Sequence, residues 1–316
     1  MLRLYLTFVL LFLFLVSFGQ TKVKQDTIDT KSTITVSLLG TGTPQPIMER
    51  FGPSTLVQAG DKTFLFDAGR GCLQRLRQLS IGYDQLDVVF FTHLHSDHIV
   101  GFPDLWLTGW LVSQRTKPLQ VMGPKGTKEM TDYLRKAYQF DIGIRAEDDK
   151  AFLDGSKLLT TDIKEGLVYE QDGVKVIAFL VDHFPVVPAF GYRIEYGGHS
   201  VVLSGDTRYS ENLIKNAKGT DLLIHEVVIA PDTLKKSDPK YNILMHHTTP
   251  EQAGKVFAAV KPKLAVYSHI SRLYAYPVEE ILKRTKVNYS GPVILGEDLM
   301  RFSVGESVSI KAWDKK

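Results

Sequence analysis

His93-Leu94-His95-Ser96-Asp97-His98 follows directly on the apolar run Asp87-Val88-Val89-Phe90-Phe91-Thr92. The run reads as a buried strand, and Ile99 to Val112 reads as a helix. Three imidazoles and a carboxylate thus leave the end of a strand together, where α/β proteins usually build their sites. Imidazole nitrogen and carboxylate oxygen, with no thiolate nearby, suit zinc, with manganese or iron as alternatives. Alternating side chains point apart, so His93 and His95 can serve one ion while Asp97 and His98 serve its neighbour. That arrangement predicts a two-metal site with ions about 3.5–4 Å apart. A lone histidine is ordinarily a satisfied core or surface residue. A cluster this dense at the end of an apolar strand is specific to metal binding.

The chain has 316 residues, 44% of them hydrophobic, enough for a sizeable core. Its first 19 residues read as a signal peptide: Arg3 is the n-region, Leu4 to Phe18 the apolar stretch, and Ser17-Phe18-Gly19 the cleavage site. The stretch is short of the ~20 apolar residues of a spanning helix, and an uncleaved anchor is the alternative. The polar segment 20–32 reads as a flexible linker, and 33–316 as the folded domain. An exported location, periplasmic or extracellular, follows. Cys72 is the only cysteine, so no intramolecular disulfide forms. Net charge is +3, and no Lys/Arg run marks a nucleic-acid footprint.

Apolar strands are read at 34–39, 54–59, 63–67, 119–122, 174–181, 190–196, 200–204, 222–225 and 264–268, with two short ones closing the chain. Helices are read at 72–79, 126–140, 251–260 and 277–285, and 141–155 as a charged, irregular loop. Polar residues able to bind metal recur just past the strands: His93, His183, Asp206, Glu226 and His269. Trp106 and Trp110, one helical turn apart, read as core packing, with an apolar wall beside the metals as the functional alternative. Asp67 reads as a residue that shapes the site by hydrogen bonds. Gly40-Thr41-Gly42-Thr43-Pro44 lacks a P-loop lysine and the dinucleotide-binding spacing, which excludes both nucleotide readings. Strands and helices alternating along the whole length favour a sheet sandwich covered by helices.

His93-x-His95-x-Asp97-His98, then Asp182-His183, Phe190-Gly191-Tyr192-Arg193, Ser204-Gly205-Asp206-Thr207, His225-Glu226, His247-Thr248-Thr249-x-x-Gln252-Ala253 and His269 together resemble the metallo-β-lactamase superfamily. The pattern is most similar to its ribonuclease Z-like hydrolases and runs from Thr33 to the C-terminus. The resemblance implies an αββα four-layer sandwich with two zinc ions at one edge. It implies His93, His95 and His183 on one zinc, Asp97, His98 and His269 on the other, and Asp206 bridging. A water between two zinc ions ionises near neutral pH and is a nucleophile, which Asp97 can orient or deprotonate. The resemblance assigns the leaving-group proton to His247, held by Glu226; His246 is adjacent, but the spacing to Gln252-Ala253 favours His247. A homodimer is also implied.

Most ribonucleases Z carry a long basic arm between the Gly-Tyr-Arg strand and the Gly-Asp-Thr loop. Here that gap is the short Tyr196-Gly197-Gly198-His199-Ser200-Val201-Val202-Leu203. Without an arm, the phosphate contacts that dominate nucleic-acid affinity are hard to supply. An exported enzyme would not meet precursor tRNA. The expectation is therefore a hydrolase of small phosphodiesters or sulfate esters, as in exported arylsulfatases and cyclic-nucleotide phosphodiesterases with similar motifs, and no nucleic-acid partner. Two alternatives stand beside it: a ribonuclease Z trimming tRNA 3′ ends, and a non-catalytic binding protein on the same scaffold.

Overall fold

The structure, a computed structural model, describes residues 33–314. The leader read at 1–19 and the linker at 20–32 lie outside the described residues.

Two sheets face each other. The first has the order β15-β14-β1-β2-β3-β4-β5-β6, the second β13-β12-β11-β10-β9-β8-β7. In the first, β1 (Ile34–Gly40), β2 (Ser54–Ala59) and β3 (Lys62–Phe66) form an antiparallel meander. Then β4 (Val88–Phe90), β5 (Leu119–Gly123) and β6 (Leu158–Asp162) continue it in parallel. In the second, β7 (Gly166–Gln171), β8 (Val174–Leu180), β9 (Phe190–Tyr196) and β10 (His199–Leu203) are antiparallel. There β11 (Leu222–Ile229), β12 (Leu264–Arg272) and β13 (Val293–Leu295) run parallel. The chain closes on the first sheet with β14 (Arg301–Val304) and β15 (Val308–Lys311).

Alternation along these strands sends one set of side chains between the sheets and the other outward. The inner layer is aromatic at its centre: Phe66 stacks on Phe90 at 5.0 Å, and Tyr192 from the other sheet meets Phe66 at 5.1 Å. The outer face of the first sheet is covered by α1 (Cys72–Gln78) and α3 (Phe102–Leu111), that of the second by α6 (Glu211–Ala217), α8 (Pro250–Val260) and α9 (Glu279–Thr285). The result is the expected αββα sandwich.

Several elements differ from the sequence reading. The helix expected over Ile99 to Val112 is two pieces, α2 (Ser96–Ile99) and α3. The break falls at Gly101, where a Cβ would stand 2.3 Å from the Gly69 carbonyl oxygen. The chain must approach the 67–71 loop that closely because Gly101 N–H donates to Ala68 O at 2.9 Å. The helix over 126–140 is α4 (Thr127–Ala137), and the charged stretch after it is α5 (Gln139–Glu147) rather than a loop. Its charges are turn-spaced pairs, Asp141–Arg145 and Arg145–Asp149, which support a solvated helix. The strands β6 and β7 escaped notice because they are largely exposed edge strands with little apolar alternation. Trp106 and Trp110 are core residues, buried, and their indole N–H groups donate to Ser156 O and Phe152 O. They pin the 152–156 turn, and the apolar-wall alternative is dropped.

Candidate metal centre

Every predicted ligand arrives at one edge of the sandwich. Strand β4 ends at Phe90, and Thr92 N–H and hydroxyl both donate to the Asp67 carboxylate at 2.8 Å. Asp67 itself sits just past β3 in the left-handed region (φ 59°). Gly69 follows because a Cβ there would meet the Asp97 carbonyl oxygen at 2.6 Å. The turn carrying Asp97 and His98 is thus laid back to back on the 67–71 loop. Asp206 leaves β10 through Gly205 (φ 60°), where a side chain would strike the Phe190 carbonyl oxygen. His269 is not past β12 but inside it. The register steps from Glu226↔Ser268 to Val227↔Ile270, so His269 is an extra, bulged residue with φ 44°. Ile270 N–H donates to Thr41 O at 3.0 Å and fixes that bulge, whose effect is to re-aim a side chain. Glu226 likewise lies within β11.

The donor atoms fall into two sets that share Asp206. In the first, His93 Nε2 and His183 Nε2 lie 2.9 and 3.3 Å from His95 Nδ1, and each is 3.9 Å from Asp206 Oδ2. In the second, His269 Nε2 is 3.3 Å and His98 Nε2 3.6 Å from Asp97 Oδ2, and these nitrogens lie 3.3 and 3.4 Å from Asp206 Oδ2. The side chains are buried, apart from that of His95, which is exposed.

The remaining ring nitrogens show that these groups fit a metal. His93 Nδ1 meets Thr92 Oγ1 at 3.0 Å, His98 Nδ1 meets Asp67 Oδ2 at 2.7 Å, and His183 Nδ1 meets the His246 carbonyl at 3.0 Å. In these three rings the outward nitrogen is engaged, which points the other one inward, the usual support for a metal-binding imidazole; His269 Nδ1 is buried without a partner. His98 Nε2 is buried with no hydrogen-bond partner. Burial lowers the pKa of His93, His95 and His183, keeping them in the neutral form that binds cations. Burial disfavours ionised Asp206 and Asp97, but the surrounding imidazoles outweigh it and hold both carboxyls below their usual range. Burial also opposes a cationic His98, yet Asp206 and Asp67 pull its pKa well above normal. The two ionised, buried carboxylates draw positive charge, here to His98, and beside the neutral rings of His93, His95 and His183 they form a donor set suited to a cation.

His247 and Glu226 stand beside this cluster. Glu226 is buried, and its Oε1 accepts from Thr248 N–H at 2.8 Å and Thr207 N–H at 3.3 Å. Its Oε2 lies 3.3 Å from His247 Nδ1. Burial opposes the His247 cation, but Glu226 outweighs it and raises the pKa to about 9. It is His247 that faces Glu226, while His246 lends its backbone carbonyl to His183. The wall beside them is α7 (Tyr241–His246), a short helix the sequence did not reveal. A cleft of about 360 Å³ opens onto His95, Asp97, His183, Asp206, His247 and His269, with Lys240 and Arg272 at its sides.

Asp67→Asn is expected to weaken metal retention by about 10–100-fold, the usual cost of losing such a support. Chelator competition with the purified protein measures it; unchanged retention would show that His98 needs no anchor.

A four-layer sandwich with such a donor cluster at one edge defines a hydrolase with a divalent-metal site. Residues 62–270 match the family described as "Beta-lactamase superfamily domain", and the chain belongs to the metallo-β-lactamase superfamily. The ribonuclease Z of Mycolicibacterium gilvum (strain PYR-GCK) is 35% identical over 283 residues, covering 88% of this chain and 99% of the relative. That of Mycobacterium marinum (strain ATCC BAA-535 / M) is 36% identical over 276 residues, 86% and 99%. Among solved structures, the metallo-beta-lactamase fold protein YhfI from Bacillus subtilis matches with TM-score 0.68 and 20% identity over 87% of this chain and all of its own.

These relatives correct three expectations. The small-ester substrate and the exclusion of nucleic acid rested on the missing arm. Relatives matched almost end to end by a stretch of this length have no room for a long extra segment either, yet carry the name ribonuclease Z. The lack of an arm therefore does not argue against RNA. The expected export falls with them, since the relatives that match 86–88% of this chain bear the name ribonuclease Z. Among the described residues no helix is long and apolar enough to cross a membrane.

Proposed function

We propose that this chain is a zinc-dependent ribonuclease of the ribonuclease Z kind, cutting a phosphodiester at the 3′ side of precursor tRNA. The observation that carries it is the match, at 35–36% identity, to nearly the whole length of relatives bearing that name. In this reading residues 33–316 form one hydrolase domain. His93, His95 and His183 would hold one zinc and Asp97, His98 and His269 a second, with Asp206 near both donor sets. The metal, when bound, stabilises charge developing on the phosphoryl oxygens and makes water acidic enough to attack near neutral pH.

The chain's own groups do the rest. Asp97, ionised and facing the cleft, orients the attacking water and accepts its proton. His247, protonated at neutral pH because Glu226 faces it, gives a proton to the departing ribose oxygen. Glu226 holds the ring in place through a carboxylate that two backbone N–H groups have already fixed.

The zinc-loaded protein is expected to cut a precursor tRNA with a 3′ trailer at one position, leaving a discrete product on a sequencing gel, and chelation is expected to stop it. Full zinc occupancy with an intact precursor would refute the proposal.

A further inference from the structure

Two exposed aromatic residues directly follow residues that line the cleft, Phe184 after His183 and Tyr274 after Leu273, and each has a cation over its face. Phe184 directly follows His183 and is 60% exposed. The Arg208 guanidinium carbon lies 5.9 Å from its ring centre. Arg208 Nη2 also donates to Phe184 O at 2.9 Å, and Asp182 Oδ1 accepts from Phe184 N–H at 3.2 Å. The ring is therefore held outward on a tethered loop. Tyr274 follows β12 and is 51% exposed, with Lys240 Nζ 4.1 Å from its ring centre. Its hydroxyl donates to Asp238 at 2.7 Å, and Arg272 braces the same turn through Tyr276 O and Ala275 O.

Tyr274 adopts φ 57°, an uncommon conformation for a bulky residue that is held only by its surroundings. Aromatic faces paired with cations are what single-stranded nucleic acid needs: bases stack on the rings while the backbone phosphates meet the charges. Lys240 and Arg272 line the cleft itself, so the positive charge stands where a phosphate chain would enter.

We propose that Phe184 with Arg208, and Tyr274 with Lys240, are two base-stacking stations that grip single-stranded RNA on its way through the cleft. This rests on the ribonuclease reading and names the contacts that stand in for a long basic arm. No bond is made or broken at either station. Each binds one unpaired nucleotide flanking the scissile phosphate.

The test uses the zinc-loaded full chain and a labelled single-stranded oligoribonucleotide of ten nucleotides, with affinity read by fluorescence anisotropy. Phe184→Ala and Tyr274→Ala are each expected to bind about 5- to 150-fold more weakly, the range for losing one stacked base. Phe184→Trp should recover most of the loss. Against a strand with abasic sites, the alanine variants and the unaltered protein should bind alike. Lys240→Ala should lower the slope of log affinity against log salt by about 0.7, the value for one phosphate contact on a single strand. Equal binding of the natural strand by all variants, or losses that persist on the abasic strand, would overturn the stations. If the strand binds with the expected dependence while precursor tRNA stays uncut, the stations stand and the ribonuclease reading fails. If precursor tRNA is cut while both alanine variants bind normally, the reverse holds.

Discussion

Asp206→Ala is expected to lower turnover by at least about 10³-fold and to take bound metal with it. Its Oδ2 lies 3.3–3.9 Å from inward nitrogens of His93, His183, His98 and His269, so its carboxylate joins both donor sets. Removing it leaves imidazoles on each side with no shared anion. The charge stabilisation at stake is several kcal/mol, which corresponds to a thousandfold or more in rate. Plasma mass spectrometry of the purified variant and cleavage of precursor tRNA give the two readouts. A variant that retains both metals and turns over within tenfold of the unaltered protein would show that Asp206 does not join the two sets.

His247→Ala should behave in the opposite way. The metals are expected to stay, since the predicted ligands are all intact, while turnover drops about 10²–10⁴-fold, the range for a positioned proton donor. The loss should shrink with a good leaving group: an aryl phosphodiester that departs without a proton should suffer least. The pH profile carries a second signature. A donor must be protonated, and Glu226 raises the His247 pKa to about 9. Activity should therefore fall as pH rises through the donor's pKa, and this alkaline limb should vanish in His247→Ala. Cations bound alongside repel the imidazolium and draw the limb to or below that value. Equal losses on good and poor leaving groups, or an unchanged alkaline limb, would remove His247 from the role of acid.

The sandwich and the donor set were legible from sequence because strand alternation and polar residues past strand ends are local signals. His93, Asp97 and His98 lie within one short stretch, and His183 and Asp206 follow apolar runs that need no long-range knowledge. His269 was found for a partly wrong reason. It looks like the residue after a strand, but it is a bulge held by Thr41 from the far end of the chain, a contact 229 positions apart that no local pattern announces. Asp67 could be suspected only as a strand-end carboxylate, and its partners Thr92 and His98 come from packing. The α7 wall was missed because a helix of six residues lacks enough period to read. Phe184 and Tyr274 were missed because a single exposed aromatic has no periodicity. The hint was its company: a phenylalanine directly after a predicted ligand, with an arginine two residues beyond another. The short Tyr196–Leu203 gap bears on how a nucleic acid would be gripped and excludes none.

The inward nitrogens and oxygens do not belong to one layer of the sandwich. His93, His95, Asp97 and His98 hang from the β4 end of the first sheet, while His183, Asp206 and His269 come from the second. A cation that takes donors from both works as a rivet across the seam, and neither half of the polypeptide owns a complete set. Chemistry at this edge therefore reports on whether the two halves have closed correctly, so a chain with a misaligned seam is silent rather than promiscuous.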